Sequence, residues 1–143
     1  MMKKILKWLL KELILFIIGG CTYMIIELCY RGHTHYSMGI VGGICFVLVG
    51  LINEFYEWDM PFCIQVVIGG TTITCIELVS GVILNIILDL HIWDYSDQPF
   101  NLLGQICLGF SIYWYLLCIP AIILDDYIRY YLFKEEKPHY TII

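Results

Sequence analysis

Two carboxylates, Glu27 and Glu77, stand inside long apolar stretches of the sequence. A charged side chain at the centre of a membrane span costs about 2.5 kcal/mol or more on insertion scales, so such a group normally faces a cavity or pairs with a cation. Two facing carboxylates could share a proton, bind a cation or hold a basic headgroup. Glu27 has a structural alternative, a salt bridge with Arg31 one helical turn away, whereas Glu77 has none on its own helix.

Other polar side chains cluster near these carboxylates. The segment from Arg31 to Met38 offers a guanidinium, two imidazoles and two aliphatic hydroxyls, which suit a phosphate or carboxylate as much as a metal. Histidines two residues apart are a weak metal signal, and the sequence predicts no metal, no cofactor and no set of catalytic residues. The predicted substrate or ion path consists of Glu27, Glu77, Arg31, His33, His35, Asn85, Asn101 and Gln105.

These residues must be positioned by membrane-spanning helices. Four apolar stretches, approximately 13–30, 38–55, 62–88 and 102–124, approach or exceed the roughly 20 residues that cross a bilayer. The pattern predicts an all-α polytopic membrane protein with four transmembrane helices. The third stretch must tilt, protrude or break near Ser80 and Gly81, and residues 82–90 either extend it or form a re-entrant turn. Pro120 is expected to kink the fourth.

Composition excludes most other classes of protein. Of the 143 residues, 60% are hydrophobic and 15% charged, the net charge is −5, and the mean hydropathy is +0.80. A soluble domain carries about 25% charged residues, and disordered chains or nucleic-acid modules need more polar or basic sequences. We therefore expect one transmembrane domain, residues 1–143, in contact with the lipid bilayer and not with nucleic acid.

The basic residues predict the orientation of the chain. Seven of the eight Lys and Arg residues flank the first and last spans, and only Arg31 lies between spans. By the positive-inside rule, the N-tail 1–11 and the C-tail 127–143 are cytoplasmic in a bacterial inner membrane. The tight turn holding Glu54, Glu57 and Asp59 would share that side. Arg129 is expected to form a helix-end ion pair with Asp125 or Asp126.

An internal repeat links the two carboxylates. The motif with Gly19, Gly20 and Glu27 recurs fifty residues later with Gly69, Gly70 and Glu77. We predict two parallel two-helix repeats, about 13–55 and 62–124, although apolar segments also resemble each other by chance. Stripes of small and polar residues on all four spans are expected to meet inside the bundle. They comprise Gly20, Tyr23 and Glu27; Gly39, Gly43, Gly50 and Asn53; Gly70, Thr74, Glu77, Gly81 and Asn85; and Asn101, Gln105 and Gly109.

The loop before the fourth span is rich in polar and aromatic residues. Asp97 or Asn101 is expected to cap the start of that span. The aromatic side chains Trp93 and Tyr95 could cover the bundle as a lid or anchor the loop at the membrane interface.

Several of these motifs resemble one family. They are Gly19-Gly20 with Ile26-Glu27, the segment Arg31 to Met38, Trp93-Asp94-Tyr95-Ser96, Pro99-Phe100-Asn101 and Gly104-Gln105-Ile106-Cys107. Together they resemble the small bacterial membrane proteins grouped as CmpB-like, type IV ABC-transporter permeases, over nearly the whole chain. The resemblance implies a polytopic inner-membrane protein working with a cytoplasmic ATPase subunit, and it supplies no catalytic residues.

The leading functional hypothesis is a transport component, a permease or carrier for a cation or small polar solute. Four helices would have to oligomerise to enclose a usual translocation path, so a homo-oligomer is expected. Two alternatives remain open. One is a non-catalytic assembly or regulatory subunit, and the other is an intramembrane enzyme acting on lipid headgroups.

Overall fold

The computed structural model describes residues 2–56 and 60–142, and these form a bundle of helices. Four of them are long and apolar enough to cross a membrane, which confirms the predicted all-α class and the number of spans. They are α1 (Met2–Arg31), α2 (Tyr36–Phe55), α3 (Phe62–Gly81, continued by a π-helical segment Val82–Ile87) and α4 (Leu108–Phe133). Glu57 and Asp59 of the predicted acidic turn lie outside the described residues.

Successive helices run in opposite directions, so the first and last described residues lie at one end of the bundle. We call this the terminal end; there Lys11 near the start of α1 contacts Glu54 at the end of α2. The chain after α4 folds back beneath α3, where the Phe62 N–H donates to the Thr141 carbonyl at 2.7 Å. The opposite, loop end carries the α1–α2 turn and the long segment 88–107, joined by a hydrogen bond from Arg31 to the Ile92 carbonyl.

The helices extend further at the terminal end than the apolar pattern indicates. Helix α1 begins at Met2, so the segment assigned to an N-terminal tail is largely helical. Helix α4 likewise continues to Phe133, and Lys134 ends it in a left-handed conformation with φ 62°. The added turns include Glu12 in α1 and Arg129 in α4. Because each helix is continuous, the position of these two residues relative to the apolar spans is fixed.

The prediction that the fourth span starts at Leu102 and is capped by Asp97 or Asn101 is wrong. Helix α4 begins at Leu108, and Cys107 occupies the capping position without a side-chain hydrogen bond. Asn101 instead closes a compact loop, since its side chain accepts from Gly104 N–H and donates to two carbonyls of residues 96–98. The expected helical stripe of Asn101, Gln105 and Gly109 therefore does not exist, and Gly109 is exposed.

The third span is neither broken nor re-entrant. Helix α3 continues through Gly81 into the π-helical turn, and the apolar helix reaches Ile87 with 26 residues in all. A π-helical turn widens the backbone and often marks a functional position. Here it directs Asn85, which is buried, toward the loop that precedes α4. Pro120 lies inside α4.

Glycines let α1 and α2 pack closely. A Cβ on Gly20 would overlap the Gly39 carbonyl oxygen, and one on Gly43 would lie 2.7 Å from the Phe16 carbonyl oxygen. Without a hydrophobic driving force between helices in lipid, such close approach is a main source of helix association. The predicted small-residue faces of α1 and α2 thus meet each other.

Helices α3 and α4 pack in a similar way. Gly69 lies against Cys118 and Gly70 lies against the ring of Tyr115. The bundle is therefore two close helix pairs, α1–α2 and α3–α4, joined by contacts of α2 with α3 and α4. A small apolar core of Val49, Cys118 and Ile122 lies where the pairs meet. The placement of Gly19-Gly20 and Gly69-Gly70 at corresponding contacts agrees with two parallel units, and the internal repeat stays a prediction.

Candidate functional site

A cavity of about 290 Å³ lies between the two helix pairs. Every helix and the loop before α4 contribute to its wall, and most of the wall is apolar or aromatic. Among the residues that line it, Glu27, Arg31 and Glu77 carry charged side chains. Along α1 the lining runs from Gly19 to Arg31, which corresponds to about 18 Å at 1.5 Å per residue. The cavity is thus long, lined mainly by apolar groups, and charged toward the loop end.

Glu27 has an ionic partner. Its carboxylate accepts hydrogen bonds from Arg31, one turn later on α1, and from the Thr34 hydroxyl in the α1–α2 turn. Arg31 also donates to the Ile92 carbonyl at 3.1 Å. The structure therefore shows the helical salt bridge that the sequence allowed, and it ties the end of α1 to the segment before α4. Glu27 faces the cavity with its charge balanced.

Glu77 differs because its partners are neutral. Its two carboxylate oxygens accept from the Trp114 indole at 2.6 Å and from the Tyr95 hydroxyl at 3.2 Å. Its exposed fraction is 7%, and no salt bridge to a Lys, Arg or His within residues 2–56 and 60–142 is formed. Burial without a partner of opposite charge disfavours an ionised carboxylate, so a cation beside it would stabilise its charge. Glu77 is consequently the group in the cavity best placed to hold a ligand charge.

Aromatic rings surround this carboxylate and cross the space between α1 and α4. The rings of Tyr23 and Trp114 have centroids 5.9 Å apart. Tyr95 stacks on Phe110 at 4.6 Å, with an angle of 13° between the rings. Tyr30 meets the edge of Phe110 at 6.3 Å. These contacts build an aromatic wall on the side of the cavity that holds Glu77.

The loop before α4 covers the cavity and is held firmly in place. Asn85 donates to the Gln105 side chain at 2.8 Å and accepts from the Ile92 N–H at 2.7 Å. Trp93 is buried and its indole donates to the Gln105 carbonyl at 3.0 Å. Trp93 and Tyr95 both line the cavity, as a covering loop requires. Asn85 and Gln105 therefore hold the loop and do not line the cavity.

Two groups in this loop have shifted pKa values. Burial raises the pKa of the Tyr95 hydroxyl well above its ordinary value, and the nearby Glu77 carboxylate adds to the shift. Tyr95 thus stays a hydrogen-bond donor to Glu77. Hydrogen bonds from the Ser96 hydroxyl and N–H lower the pKa of the exposed Asp94 carboxyl. Asp94 thereby remains an ionised acceptor that shapes the turn.

The remaining predicted site residues lie away from the cavity wall. His33 is exposed, and its ring contacts the Arg31 carbonyl at 3.0 Å. His35 caps the start of α2 by accepting from the Ser37 N–H. Asn101 holds the turn described above. Of the eight predicted residues, the structure brings Glu27, Arg31 and Glu77 to one cavity.

A second charged cluster, which the sequence interpretation missed, lies at the terminal end. Arg129 on α4 forms two hydrogen bonds of 3.1 Å to Glu12 on α1 and one of 2.5 Å to Asp125. All three side chains are buried, and the Asp125 carboxylate lies against Gly50 of α2. The expected Asp125–Arg129 pair is present but buried. The bonds from Arg129 to Glu12 join α1 to α4. The sequence signal that could have indicated this cluster is Glu12, which interrupts the first apolar run.

Around this cluster further polar groups close the terminal end. Lys11 bridges Glu54 at 3.1 Å and Glu135 at 2.7 Å. Asp126 accepts hydrogen bonds of 2.8 Å from both Asn53 and the Tyr140 hydroxyl. Burial and the bond to Asp126 raise the pKa of that tyrosine. These links connect all of α1, α2, α4 and the C-terminal segment.

No metal site is evident in the part of the chain that the structure describes, because no three His, Cys, Asp or Glu side chains come together suitably. The profile of the family described as "Putative ABC-transporter type IV" matches residues 8–140. No curated protein and no solved structure matches the chain.

Proposed function

Because the chain belongs to this family of ABC-transporter membrane proteins, we propose that it is a permease subunit whose solute is a cation or small polar molecule and passes through the cavity between the helix pairs. The observation that carries the proposal is Glu77, a buried carboxylate that faces the cavity and has only neutral hydrogen-bond partners among the described residues. Intramembrane ionisable groups commonly mark substrate and ion pathways.

The charge of the cavity favours a cationic solute. Glu27 and Arg31 cancel each other, which leaves the single negative charge of Glu77 when it is ionised. A cation entering the cavity would replace part of its lost hydration with this carboxylate and with the aromatic rings of the cavity wall. An anion would be repelled by Glu77 and would find Arg31 already engaged.

The proposed orientation places the terminal end in the cytoplasm of a bacterial cell, since seven of the eight Lys and Arg residues flank spans one and four. In that orientation Glu27 and Glu77 lie in the outer half of the bundle, and an ATPase partner would contact the terminal end. There the Arg129–Glu12 bond closes the gap between α1 and α4. We also propose a homo-oligomer, because four helices enclose little space for a continuous path.

The first prediction concerns Glu77. In proteoliposomes on a solid-supported membrane, concentration jumps of sodium, potassium, methylammonium and choline should give a charge displacement for at least one cation, since electrogenic binding needs no ATP. Glu77→Gln should reduce this signal at least tenfold, because the amide keeps the shape but loses the charge. Asp97→Asn, which removes an exposed loop carboxylate, should retain it.

Two outcomes contradict the proposed path. In one, none of the four cations produces a signal above that of protein-free liposomes. In the other, Glu77→Gln behaves as the wild type while its size-exclusion profile shows a folded protein.

A second prediction tests the partner. The tagged chain, purified from its native host in nanodiscs and analysed by native mass spectrometry, should carry a stoichiometric subunit, and the complex should hydrolyse ATP in a vanadate-sensitive way. A bare oligomer without ATPase activity would overturn the partner proposal and would favour an autonomous carrier or an assembly subunit.

A further inference from the structure

We infer that the cavity binds a monovalent organic cation with a flat, apolar body, a class of ligand narrower than the cations and polar solutes considered above. The inference rests on the proposed function for its location and goes further in specifying the ligand. Three observations carry it: the single uncompensated charge, the rings around that charge and the length of the apolar cavity.

The charge limits the ligand to one positive charge. Two carboxylates and one guanidinium line the cavity, so the lining carries a net charge of −1 when all three are ionised. A divalent cation would leave an uncompensated positive charge in a largely apolar space, which is costly. The Glu27–Arg31 pair cannot supply the second carboxylate without giving up its own salt bridge.

The rings favour an organic over an inorganic cation. Tyr95 and Trp114 both donate to Glu77, so two ring systems stand directly beside the carboxylate. Tyr23 and Phe110 extend the same wall, within 6 Å of Trp114 and Tyr95 respectively. A carboxylate among aromatic rings favours a weakly hydrated ammonium or pyridinium, which loses little hydration on entry and can also interact with ring faces in the wall. Sodium or magnesium would need a shell of several oxygen ligands, whereas the lining of the cavity is mainly apolar.

The remainder of the cavity fits an apolar body. Beyond Glu77 the lining continues past Ile73, Leu117 and Pro120 to Leu124, a stretch without charged side chains. About 290 Å³ is near the lower limit of small-molecule sites, which are usually concave and mostly apolar. A ligand with its cationic group at Glu77 can therefore place a planar hydrocarbon portion along α4.

The test uses radiolabelled 1-methyl-4-phenylpyridinium, a monovalent cation made of two flat aromatic rings, and the wild-type protein in zwitterionic phosphatidylcholine nanodiscs. We expect saturable binding in a scintillation proximity assay. Glu77→Gln should weaken binding at least tenfold and Trp114→Leu by a similar factor. Trp114→Phe, which keeps a ring but not the N–H donor, should lose less than Trp114→Leu. Asp97→Asn is the matched control and should bind as the wild type does.

The ligand chemistry could come from a free solute or from the headgroup of a lipid. The affinity for the labelled cation is measured again in phosphatidylglycerol nanodiscs, for the wild type and for Glu77→Gln. The difference in affinity between these two proteins, compared between the two lipids, separates the sources. If this difference is much larger in phosphatidylglycerol than in phosphatidylcholine, choline headgroups compete for the site. An equal difference supports a free organic cation. Either result supports the ligand class.

Binding that is unsaturable, or equal in wild type and a folded Glu77→Gln variant, overturns the inference. If the small cations of the preceding assay still give a Glu77-dependent signal, the proposed function stands and only the ligand class fails. If neither assay depends on Glu77, both fail. Phe110→Leu, which alters the ring wall without touching the carboxylate, provides a second check should Glu77→Gln not fold.

Discussion

Arg129→Met should strongly destabilise the protein and cost about 3–5 kcal/mol, the range measured when one partner of a buried ion pair is removed. Arg129 is 3% exposed and donates to both Glu12 and Asp125. Without the guanidinium, two buried carboxylates remain in the low-dielectric interior. Lys11 lies 3.7 Å from Glu12 but is already engaged with Glu54 and Glu135, so it offers little compensation.

The measurement is the midpoint of thermal unfolding, followed by tryptophan fluorescence in one detergent for all variants. Lys137→Met is the matched control, because it removes an exposed cation near the same end of the bundle and should shift the midpoint little. A triple variant sharpens the argument. The combination of Arg129→Met with Glu12→Gln and Asp125→Asn should recover much of the lost stability, since these three positions then leave no unpaired buried charge. Equal unfolding midpoints for Arg129→Met and the control would show that the cluster of Arg129, Glu12 and Asp125 does not stabilise the fold.

The four helices could be predicted because hydropathy is local. Each apolar stretch has to satisfy its own backbone in lipid, and only a helix does so within one segment. The same local cost singles out Glu27 and Glu77, which the structure places on one cavity. The spacing of Glu27 and Arg31 also offered a salt bridge between them as an alternative, and the structure shows that bridge. In each case the relevant energy depends on residues within one or two helical turns.

The cluster at the terminal end depends on tertiary contacts that no local pattern encodes. Glu12 and Arg129 are 117 positions apart. Their bond requires that the start of α1 and the end of α4 lie at the same height in the bundle. In the sequence, Lys11 and Glu12 only interrupt the first apolar run. A buried pair on two helices explains why a glutamate can stand there, since its charge is neutralised by a partner distant in sequence.

The start of α4 was mispredicted for a different reason. Leu102 and Leu103 raise the hydropathy of the segment, but Phe100 and Leu103 adopt positive φ values of 54° and 55°, which a helix does not allow. Non-glycine residues in that region carry no clear sequence signal. The hydrogen bonds of Asn101 and Asn85 compensate for this backbone conformation. The apolar residues before Leu108 therefore suggested a membrane-spanning helix, but hydropathy alone did not determine the backbone conformation there.

Gly20→Leu should disrupt the α1–α2 pair and lower stability by about 3 kcal/mol or more, at the upper end of overpacking effects. A Cβ at this position would overlap the main-chain oxygen of Gly39, which cannot rotate away as a side chain can. Relief requires that the two helices move apart, and the packing of Gly19 on Phe46 and of Gly43 on Phe16 would be lost with them. Small residues at such contacts are the main means of association in lipid.

Gly109→Leu is the matched control for this substitution. Gly109 lies in the first turn of α4, is exposed, and has nothing within 4 Å of an added Cβ. There the leucine should be neutral or gain up to about 1 kcal/mol, because glycine is a poor helix former. Gly20→Ala should fall between the two variants, since a single methyl already meets the Gly39 oxygen. Thermal unfolding midpoints in one detergent should follow the order Gly109→Leu, Gly20→Ala, Gly20→Leu from highest to lowest. If Gly20→Leu unfolded at the same temperature as Gly109→Leu, the close contact between α1 and α2 could not be what holds that pair together.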